Sequence, residues 1–390
     1  MKRLIAPRLS TGNWPASLTG NGLALLPGLI AWWLWAYQPD LYYTAVQEDE
    51  LLEWSSFWAF IIAGIIYIYI AAKRPRLLTA LWFPFGLMAF CLFVAFEEIS
   101  WGQRIFGYRP PEYFLEFNYQ QELNLHNIID NDWRKIATAL VIFGYGVVVP
   151  LAGLFNPVRK LYFRFGILAP QVELAPAFLL CGIAQQTYPI NFTGEWVELT
   201  LGMCFMFAAL TTAMQQEKKI STLSPRLLGI TVLMVLAGIL STQAVGYQRS
   251  QDPALVDAAK AELDALKSDF RHYQEKKIRC GFHKRIYTYS QMTNRKNLTE
   301  GSFASLTQQG LPDDRAEFFL DPWNYAYWLR HNCAADGHAK AMYLYSFGPN
   351  RRRESTRWEI RGDDIAIPIF GNIDDFRNDP TGSDITSATD

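Results

Sequence analysis

The sequence predicts an all-α membrane bundle followed by a small α+β domain, and two observations support this fold class. Up to about Tyr247 the chain is a succession of apolar runs, each close to the roughly 20 residues that span a bilayer as a helix. After Tyr247 the apolar runs are short, aromatic and β-branched, and Gly, Pro and Asp separate them, which is typical of a small antiparallel sheet. We therefore expect one domain in lipid and one in water.

About seven membrane-spanning helices are predicted from the apolar runs. The runs lie at about residues 20–37, 51–72, 78–96, 136–155, 168–189, 195–214 and 227–247. No short apolar segment with a small-residue cleavage site precedes the first run, so we expect an uncleaved first span. Residues 1–222 then form a polytopic membrane domain with the first six runs, and residues 223–250 contain the seventh.

Loop charge predicts the orientation of the bundle, because Lys and Arg are retained on the cytoplasmic side. Basic residues occupy alternate connections, namely Lys2, Arg3 and Arg8, then Lys73, Arg74 and Arg76, then Arg159, Lys160 and Arg164, then Lys218, Lys219 and Arg226. We expect a bacterial inner-membrane protein, surrounded by lipid, with a cytoplasmic N-terminus and a periplasmic C-terminal domain. A formal net charge of -1 without a concentrated basic face gives no reason to expect nucleic acid as a partner.

Residues 251–373 are expected to form the periplasmic domain, and residues 374–390 a flexible polar tail. An amphipathic helix opens the domain, since apolar residues recur at alternating spacings of three and four. They are Val256, Ala259, Leu263, Leu266, Phe270 and Tyr273. Strands are predicted at residues 341–347 and 356–360, and the alternating aromatic residues of 323–327 predict another strand after a turn at Asp321.

Three motifs of this domain carry a resemblance to a known family. They are D-P-W-N-Y-A-Y at residues 321–327, L-Y-S-F-G-P-N at 344–350 and G-D-D-I at 362–365. With the helix before them, they resemble the C-terminal domain of the major pseudopilin of type II secretion systems, which implies an α+β fold. The chain departs from that family because the corresponding apolar helix is the last of about seven, with neither a prepilin-peptidase site nor the glutamate that orders fibre assembly. We therefore expect an unprocessed module that cannot enter a pilus.

The resemblance also implies a calcium ion, which the family holds in the loop after the second motif. By matching position, Asp363 and Asp364 would supply the carboxylates. Here Arg351, Arg352, Arg353 and Arg357 replace a Gly- and Asp-rich segment and oppose a cation. Cys280 and Cys333 also lie in this domain, where an oxidising periplasm permits a disulfide bridge, and free thiols are the alternative.

A polar block at residues 96–127 follows the third apolar run. It begins F-E-E-I-S-W-G-Q-R, ends N-L-H-N, and resembles a block in an uncharacterised family of bacterial polytopic membrane proteins, which implies a grouping and no mechanism. We predict that Glu97, Glu98, Arg104 and His126 form a connected polar cluster at the outer mouth of the bundle, because ionisable groups near lipid need partners. The cluster is either catalytic or a set of structural ion pairs.

Further carboxylates are predicted on the same outer face, at residues 48–53, Glu195 and Glu198. If the helices bundle, these groups and His126 could converge on a divalent metal ion. The alternative is that each acid lies in the first turn of a helix, where the helix dipole favours negative charge.

Two functions of different classes follow. The first is a non-catalytic inner-membrane protein that presents a pseudopilin-like module in the periplasm, as an accessory or interaction component of the envelope or of a type II secretion-like system. The second is a membrane-embedded, metal-assisted hydrolase or transferase acting on a lipid or lipid-linked substrate. The first implies periplasmic or secretion-system proteins as partners. No triad, P-loop or dinucleotide motif decides between them.

Overall fold

The computed structural model describes residues 12–47, 49–75, 78–118, 121–247, 253–270, 284–287, 315, 318–333, 339–351, 353–355 and 360–371. The chain divides into two compact units. The first contains residues 1–101 and 129–242, and the second contains residues 102–128 and 243–390. The polar block is therefore divided: the part from Gly102 to Ile128 belongs to the same unit as the C-terminal domain.

The α-helices of the first unit and of the polar block are, in chain order, α1 (Trp14–Tyr37), α2 (Pro39–Ala45), α3 (Leu51–Ala72), α4 (Leu78–Glu98), α5 (Gln103–Phe106), α6 (Glu112–Phe117), α7 (Asn131–Ala139), α8 (Val149–Ala152), α9 (Asn156–Phe165), α10 (Ala175–Thr187), α11 (Thr193–Gln216) and α12 (Leu223–Tyr247). A π-helix, Leu140–Val148, joins α7 to α8. Short 3₁₀ turns lie at Ser100–Gly102, Val172–Leu174 and Ile220–Thr222.

Five helical stretches in the described part of the chain are long and apolar enough to cross a membrane. They are Leu51–Ala72, Leu78–Glu98, Asp132–Ala152, Thr193–Gln216 and Ile220–Val245. This finding agrees with the predicted membrane class. Two predicted spans are not among the five: α1 carries Ser, Thr and Asn in its first turns, and α10 has 13 residues, fewer than the roughly 17 a span needs.

Helix α11 lies at the centre of the first unit, and 18 of its 24 residues are buried. Its Phe205 contacts rings from several neighbours, stacking on Tyr145 at 5.2 Å and meeting Phe178 edge-on at 6.0 Å. At Gly202 a Cβ atom would lie 3.0 Å from the Cβ of Ala59, so α11 and α3 approach closely there. Such close packing of small residues and rings stabilises helix association in lipid, where the hydrophobic effect is absent.

The C-terminal domain consists of helix α13 (Pro253–Phe270) and four strands, β1 (Lys284–Arg285), β2 (Trp328–Cys333), β3 (Ala339–Ser346) and β4 (Ile365–Phe370). The strands pair antiparallel in the order β1-β2-β3-β4. Ala259, Leu263 and Leu266 of α13 are fully buried in one core with strand residues such as Leu329 and Leu344. The predicted helix stripe is confirmed, and burying each leucine contributes about 1.5–3 kcal/mol.

The residues before β2 form a turn, so the strand predicted at 323–327 is wrong. The Asp321 carboxylate accepts hydrogen bonds from the backbone N–H of Trp323 at 3.0 Å and of Tyr325 at 2.9 Å. Side-chain bonds of this kind compete with strand pairing. They fold the chain back, with Asn324 at φ 61°, and the strand starts at Trp328. The strand predicted at 341–347 is confirmed by β3; residues 356–359 and the predicted tail lie outside the described residues.

Candidate functional site

Helix α4 ends at Glu98, and the chain turns sharply there. Ser100, Trp101 and Gly102 have φ values of 46°, 54° and 79°, so no helix continues from Glu97 towards Arg104. Glu97 is buried, and its carboxylate accepts a hydrogen bond from the Trp101 indole at 2.7 Å. The indole also stacks on Phe96, with 5.5 Å between ring centroids. Glu97 therefore holds the turn after α4.

Glu98 belongs to a group of four carboxylates in the first unit, which we call the acidic cluster: Glu53, Glu98, Glu195 and Glu198. The charges that act on Glu98 among the described residues are those of Glu198, Glu53 and Glu195. Helices α3, α4 and α11 each supply at least one member, and all four side chains are partly buried. Glu53, Glu195 and Glu198 therefore act electrostatically on Glu98, and the location of these carboxylates on the outer face stays a prediction.

Hydroxyl groups surround the acidic cluster. Ser56 lies one turn after Glu53 on α3, is fully buried, and has its hydroxyl beside the Glu98 carboxyl. Tyr42 interacts electrostatically with Glu195, and its hydroxyl donates to the backbone oxygen of Asn191 at 2.5 Å. Tyr188 interacts with Glu195, Glu198 and Arg134. The hydroxyl groups of Ser56, Tyr42 and Tyr188 thus interact with members of the cluster, and Arg134 acts on Tyr188.

The remainder of the polar block, Gly102–Ile128, forms a segment of the second unit that we call the clamp. Its polar side chains bind one another: the Asn118 amide donates to the backbone oxygen of Glu122 at 2.6 Å and to the Asn124 side chain at 2.8 Å. Gln103 accepts from the backbone N–H of Leu123 at 2.8 Å. Asn118, Gln121, Glu122 and Asn124 are each at most 3% exposed. These residues fix the conformation of the clamp.

The clamp also binds the C-terminal domain. Glu122 lies 3.7 Å from the guanidinium of Arg285 and accepts a hydrogen bond from the Tyr325 hydroxyl at 3.0 Å. Gln121 donates to the backbone oxygen of Phe318 at 3.2 Å. Leu115 is fully buried in a small apolar cluster with Phe318. The buried Glu122–Arg285 pair and its hydrogen bond make the clamp an integral part of the second unit.

The four predicted catalytic residues fall in both units. Glu97 and Glu98 belong to the first, whereas Arg104 and His126 belong to the second. His126 is partly buried, and the side chain of Arg104 lies outside the described residues. A connected cluster of all four residues stays a prediction.

The cysteines are also divided between the two units. Cys91, Cys181 and Cys204 are buried free thiols within the helices. Cys280 lies outside the described residues, and Cys333 is described only as the end of β2. A bridge between Cys280 and Cys333 therefore stays a prediction.

A group of three carboxylates in the C-terminal domain can hold a metal ion: Glu354, Asp363 and Asp364 offer ligand oxygens that all lie within 4.8 Å of one another. Burial raises the pKa of Asp363 to about 7, and the neighbouring charges of Glu354 and Asp364 add to the effect. Burial likewise raises the pKa of Asp364 to about 6, although the backbone N–H of Ser355 donates to it at 2.9 Å.

This triad fits the calcium ion that the resemblance implies. One oxygen of Asp363 is buried without a hydrogen-bond partner among the described residues, as expected of a ligand atom. Calcium takes six to eight oxygen ligands, and a divalent cation would offset the like charges. The Arg351 guanidinium lies beside Gly107, 2.0 Å from where a Cβ would be, whereas the predicted opposing charge of Arg353 acts on the Asp364 carboxylate. Glu354 was not predicted; only its carboxylate, close before the aspartates in sequence, could have indicated it.

Comparison with known proteins adds no relative: no protein-family model, no curated protein and no solved structure matches this chain.

Proposed function

We propose that this chain is a bacterial inner-membrane protein that presents a pseudopilin-like module in the periplasm for contact with other proteins. Its role would be that of an accessory or interaction component of the cell envelope or of a type II secretion-like system. The observation that carries the proposal is the clamp, in which Glu122 binds Arg285 and Tyr325 of the C-terminal domain.

The clamp supports a role in presentation rather than in fibre assembly. A pilus subunit must leave the membrane, whereas this module is held at two places along the chain, by α12 before it and by the clamp. A buried, hydrogen-bonded ion pair specifies one arrangement of its partners and is costly to break. A module held in this way keeps one surface available to a partner.

The proposed topology has seven spans, with the first and fifth predicted spans containing α1 and α10, a cytoplasmic N-terminus and a periplasmic C-terminal domain. The alternation of basic and acidic connections supports it. In the periplasm the triad of Glu354, Asp363 and Asp364 would hold calcium and stabilise the loop between β3 and β4.

Site-specific photocrosslinking tests the presentation role. A photoreactive residue is placed in living cells at Lys260 or Asp264 on the exposed face of α13, and at Lys218 between α11 and α12 as a control. We expect an envelope protein to be captured from the α13 positions, and not from Lys218. Capture should fall when Glu122→Gln and Leu115→Ala together loosen the clamp. The proposal fails if the α13 positions capture nothing while deletion of residues 251–390 leaves the cellular phenotype intact.

A second candidate function is the membrane-embedded, metal-assisted hydrolase or transferase acting on a lipid or lipid-linked substrate. The acidic cluster favours it, because grouped carboxylates within a bundle are unusual without a function. For this role, Glu98→Gln and His126→Ala should leave the protein folded and inserted but abolish its cellular activity. Loss of abundance in both variants would instead indicate a structural role.

A further inference from the structure

We infer that helix α9 (Asn156–Phe165) lies along one surface of the membrane and binds the headgroups of acidic phospholipids. The inference rests on the membrane insertion of the first unit, which contains α9, and not on the presentation role, so each can fail without the other. Three observations support it: the two sides of the helix, its attachment to the ends of membrane-length helices, and the surroundings of its basic side chains.

Helix α9 is amphipathic, and none of its residues is buried. With 3.6 residues per turn, one side is apolar and carries Val158, Leu161, Tyr162 and Phe165. The other side carries Asn156, Arg159, Lys160 and Arg164, with Phe163 as the apolar residue among them. The side chains of Leu161 and Phe165 are 49% and 45% exposed, so the protein itself covers the apolar side only in part. Apolar and basic residues on opposite sides of one helix are typical of a helix at a membrane surface.

The start of α9 is attached to the end of a membrane-length stretch. Asp132–Ala152 is long and apolar enough to cross a membrane, and α9 begins shortly after it. The Tyr162 hydroxyl donates a hydrogen bond to the backbone oxygen of Val149 at 3.1 Å. Helix α9 therefore turns back against the end of this stretch and does not extend it away from the membrane.

The end of α9 is attached to two further membrane-length helices, α3 and α4. The Arg74 guanidinium, just after α3, donates to the backbone oxygens of Ala80 in α4 and of Gly166 after α9, both at 3.1 Å. The Trp82 indole of α4 donates to the backbone oxygen of Phe165 at 2.6 Å. Helix α9 thus lies where three membrane-length stretches begin or end. The polar headgroups of a bilayer lie at that level.

The basic side chains of α9 have no carboxylate partner among the described residues. The ion pairs found there involve neither Arg159, Lys160 nor Arg164. The sequence also has no Asp or Glu at residues 54–96 or 133–172, so the connections packed around α9 offer no negative side chain. An acidic phospholipid supplies the negative charge, and its phosphate accepts hydrogen bonds from a guanidinium. A second copy of this chain would bring further positive charge instead.

The first test measures the binding of fluorescent phosphatidylglycerol to the full-length protein in a non-ionic detergent, with fluorescent phosphatidylcholine as the neutral reference. We expect phosphatidylglycerol to bind at least tenfold more tightly, and high salt to reduce the difference. Arg159→Gln/Lys160→Gln/Arg164→Gln should remove most of this preference, whereas Arg159→Lys/Arg164→Lys, which keeps the charge, should retain it.

A matched pair of single variants controls for the loss of one positive charge. Lys160→Gln should weaken phosphatidylglycerol binding about fivefold, the effect of one basic residue near an acidic surface. Lys260→Gln, at an exposed lysine of α13 in the second unit, should bind as the wild type does.

A second measurement on nearly unaltered protein locates the two sides of α9. A fluorescent amino acid is placed singly at Leu161 or Phe165, and at Lys160 or Arg164, in full-length protein reconstituted with phospholipids brominated in their acyl chains. Bromine should quench the first pair strongly and the second pair weakly. The inference is overturned if quenching is absent or equal at both pairs, as for a helix in water or covered by a second copy. It is also overturned if the wild type shows no preference for phosphatidylglycerol, or if the triple glutamine variant keeps it.

Discussion

Two glutamates from the same polar block have opposite surroundings in this molecule. Glu122 is buried between a guanidinium and a tyrosine hydroxyl, so its charge is compensated within the protein. Glu98 lies among three other carboxylates and a serine hydroxyl. The comparison teaches that the surrounding groups, rather than the residue type, decide the electrostatic environment of a glutamate. In the sequence both residues are equally plausible as functional groups, and only their neighbours in the fold distinguish them.

The largest effect is expected from removing the cation that compensates Glu122. Arg285→Met removes a buried guanidinium from beside the Glu122 carboxylate, so the second unit should lose about 3–5 kcal/mol of stability. The double variant Glu122→Gln/Arg285→Met should recover a large part of that loss, because the buried carboxylate charge is removed as well. Hydrogen exchange of strand β3 in the detergent-solubilised protein measures both. Equal losses in the single and double variants would contradict the structural role assigned to the pair.

A smaller effect is expected from the apolar contact of the clamp. Leu115 is 0% exposed and packs against Phe318 and Leu320. Leu115→Ala creates a cavity and should cost about 2–4 kcal/mol. The loss should appear in the exchange of both the clamp and the C-terminal domain, since they form one unit. If only the clamp became labile, the two would not unfold together.

The triad of Glu354, Asp363 and Asp364 predicts a pH dependence of stability that is opposite in sense to that of a carboxylate in an ion pair. Burial, with repulsion by Glu354 and Asp364, raises the pKa of Asp363 from 3.8 to about 7, and burial raises the pKa of Asp364 from 3.8 to about 6. The folded state therefore binds more protons than the unfolded state at intermediate pH. The contribution of these two aspartates to the free energy of unfolding should be fully present below about pH 4. It should fall by about 1–3 kcal/mol as the pH rises through 7.

Exchange of strand β4, corrected for the intrinsic rate at each pH, measures this change. Calcium should abolish the loss at pH 7.5 and have little effect at pH 5. In Asp363→Asn/Asp364→Asn the pH dependence should disappear, and its persistence there would show that other groups cause it.

The smallest effect is expected at an exposed ion pair, which serves as a reference for the others. Lys260 lies 3.9 Å from Asp257 on the outer face of α13, and both side chains are more than half exposed. Because solvent screens the pair, Lys260→Ala should change the stability by less than about 0.5 kcal/mol. The same exchange measurement on β3 checks this. A loss near that of Leu115→Ala would mean that α13 has an unrecognised contact.

Local patterns predicted local structure well in this chain. The spacing of Ala259, Leu263 and Leu266 indicated α13 and its buried face, and the aromatic run at 341–347 indicated β3. The strand at 323–327 was predicted incorrectly because alternation of aromatic residues does not reveal that Asp321 binds two backbone N–H groups of the same stretch.

The partners of the polar block could not be predicted from sequence. Glu122 binds Tyr325, which is 203 residues away, and Gln121 binds Phe318, which is 197 residues away. No local period links such residues. The same holds for the acidic cluster: the sequence predicts Glu53, Glu98 and Glu198 as carboxylates of one face, but helix packing decides which of them interact. Glu354 was missed because a single glutamate in an arginine-rich loop has no pattern of its own.

The distance along the chain between Glu122 and Tyr325 also sets the timing of biosynthesis. With 203 residues still to be made and translation at about 5–20 residues per second, the clamp waits roughly 10–40 s for its binding surface. During that interval the Leu115 side chain and the Glu122 carboxylate have no partner from the C-terminal domain. The nascent protein therefore passes through a stage in which this segment is exposed to proteases and to chaperones, and its survival depends on the last quarter of the chain being completed.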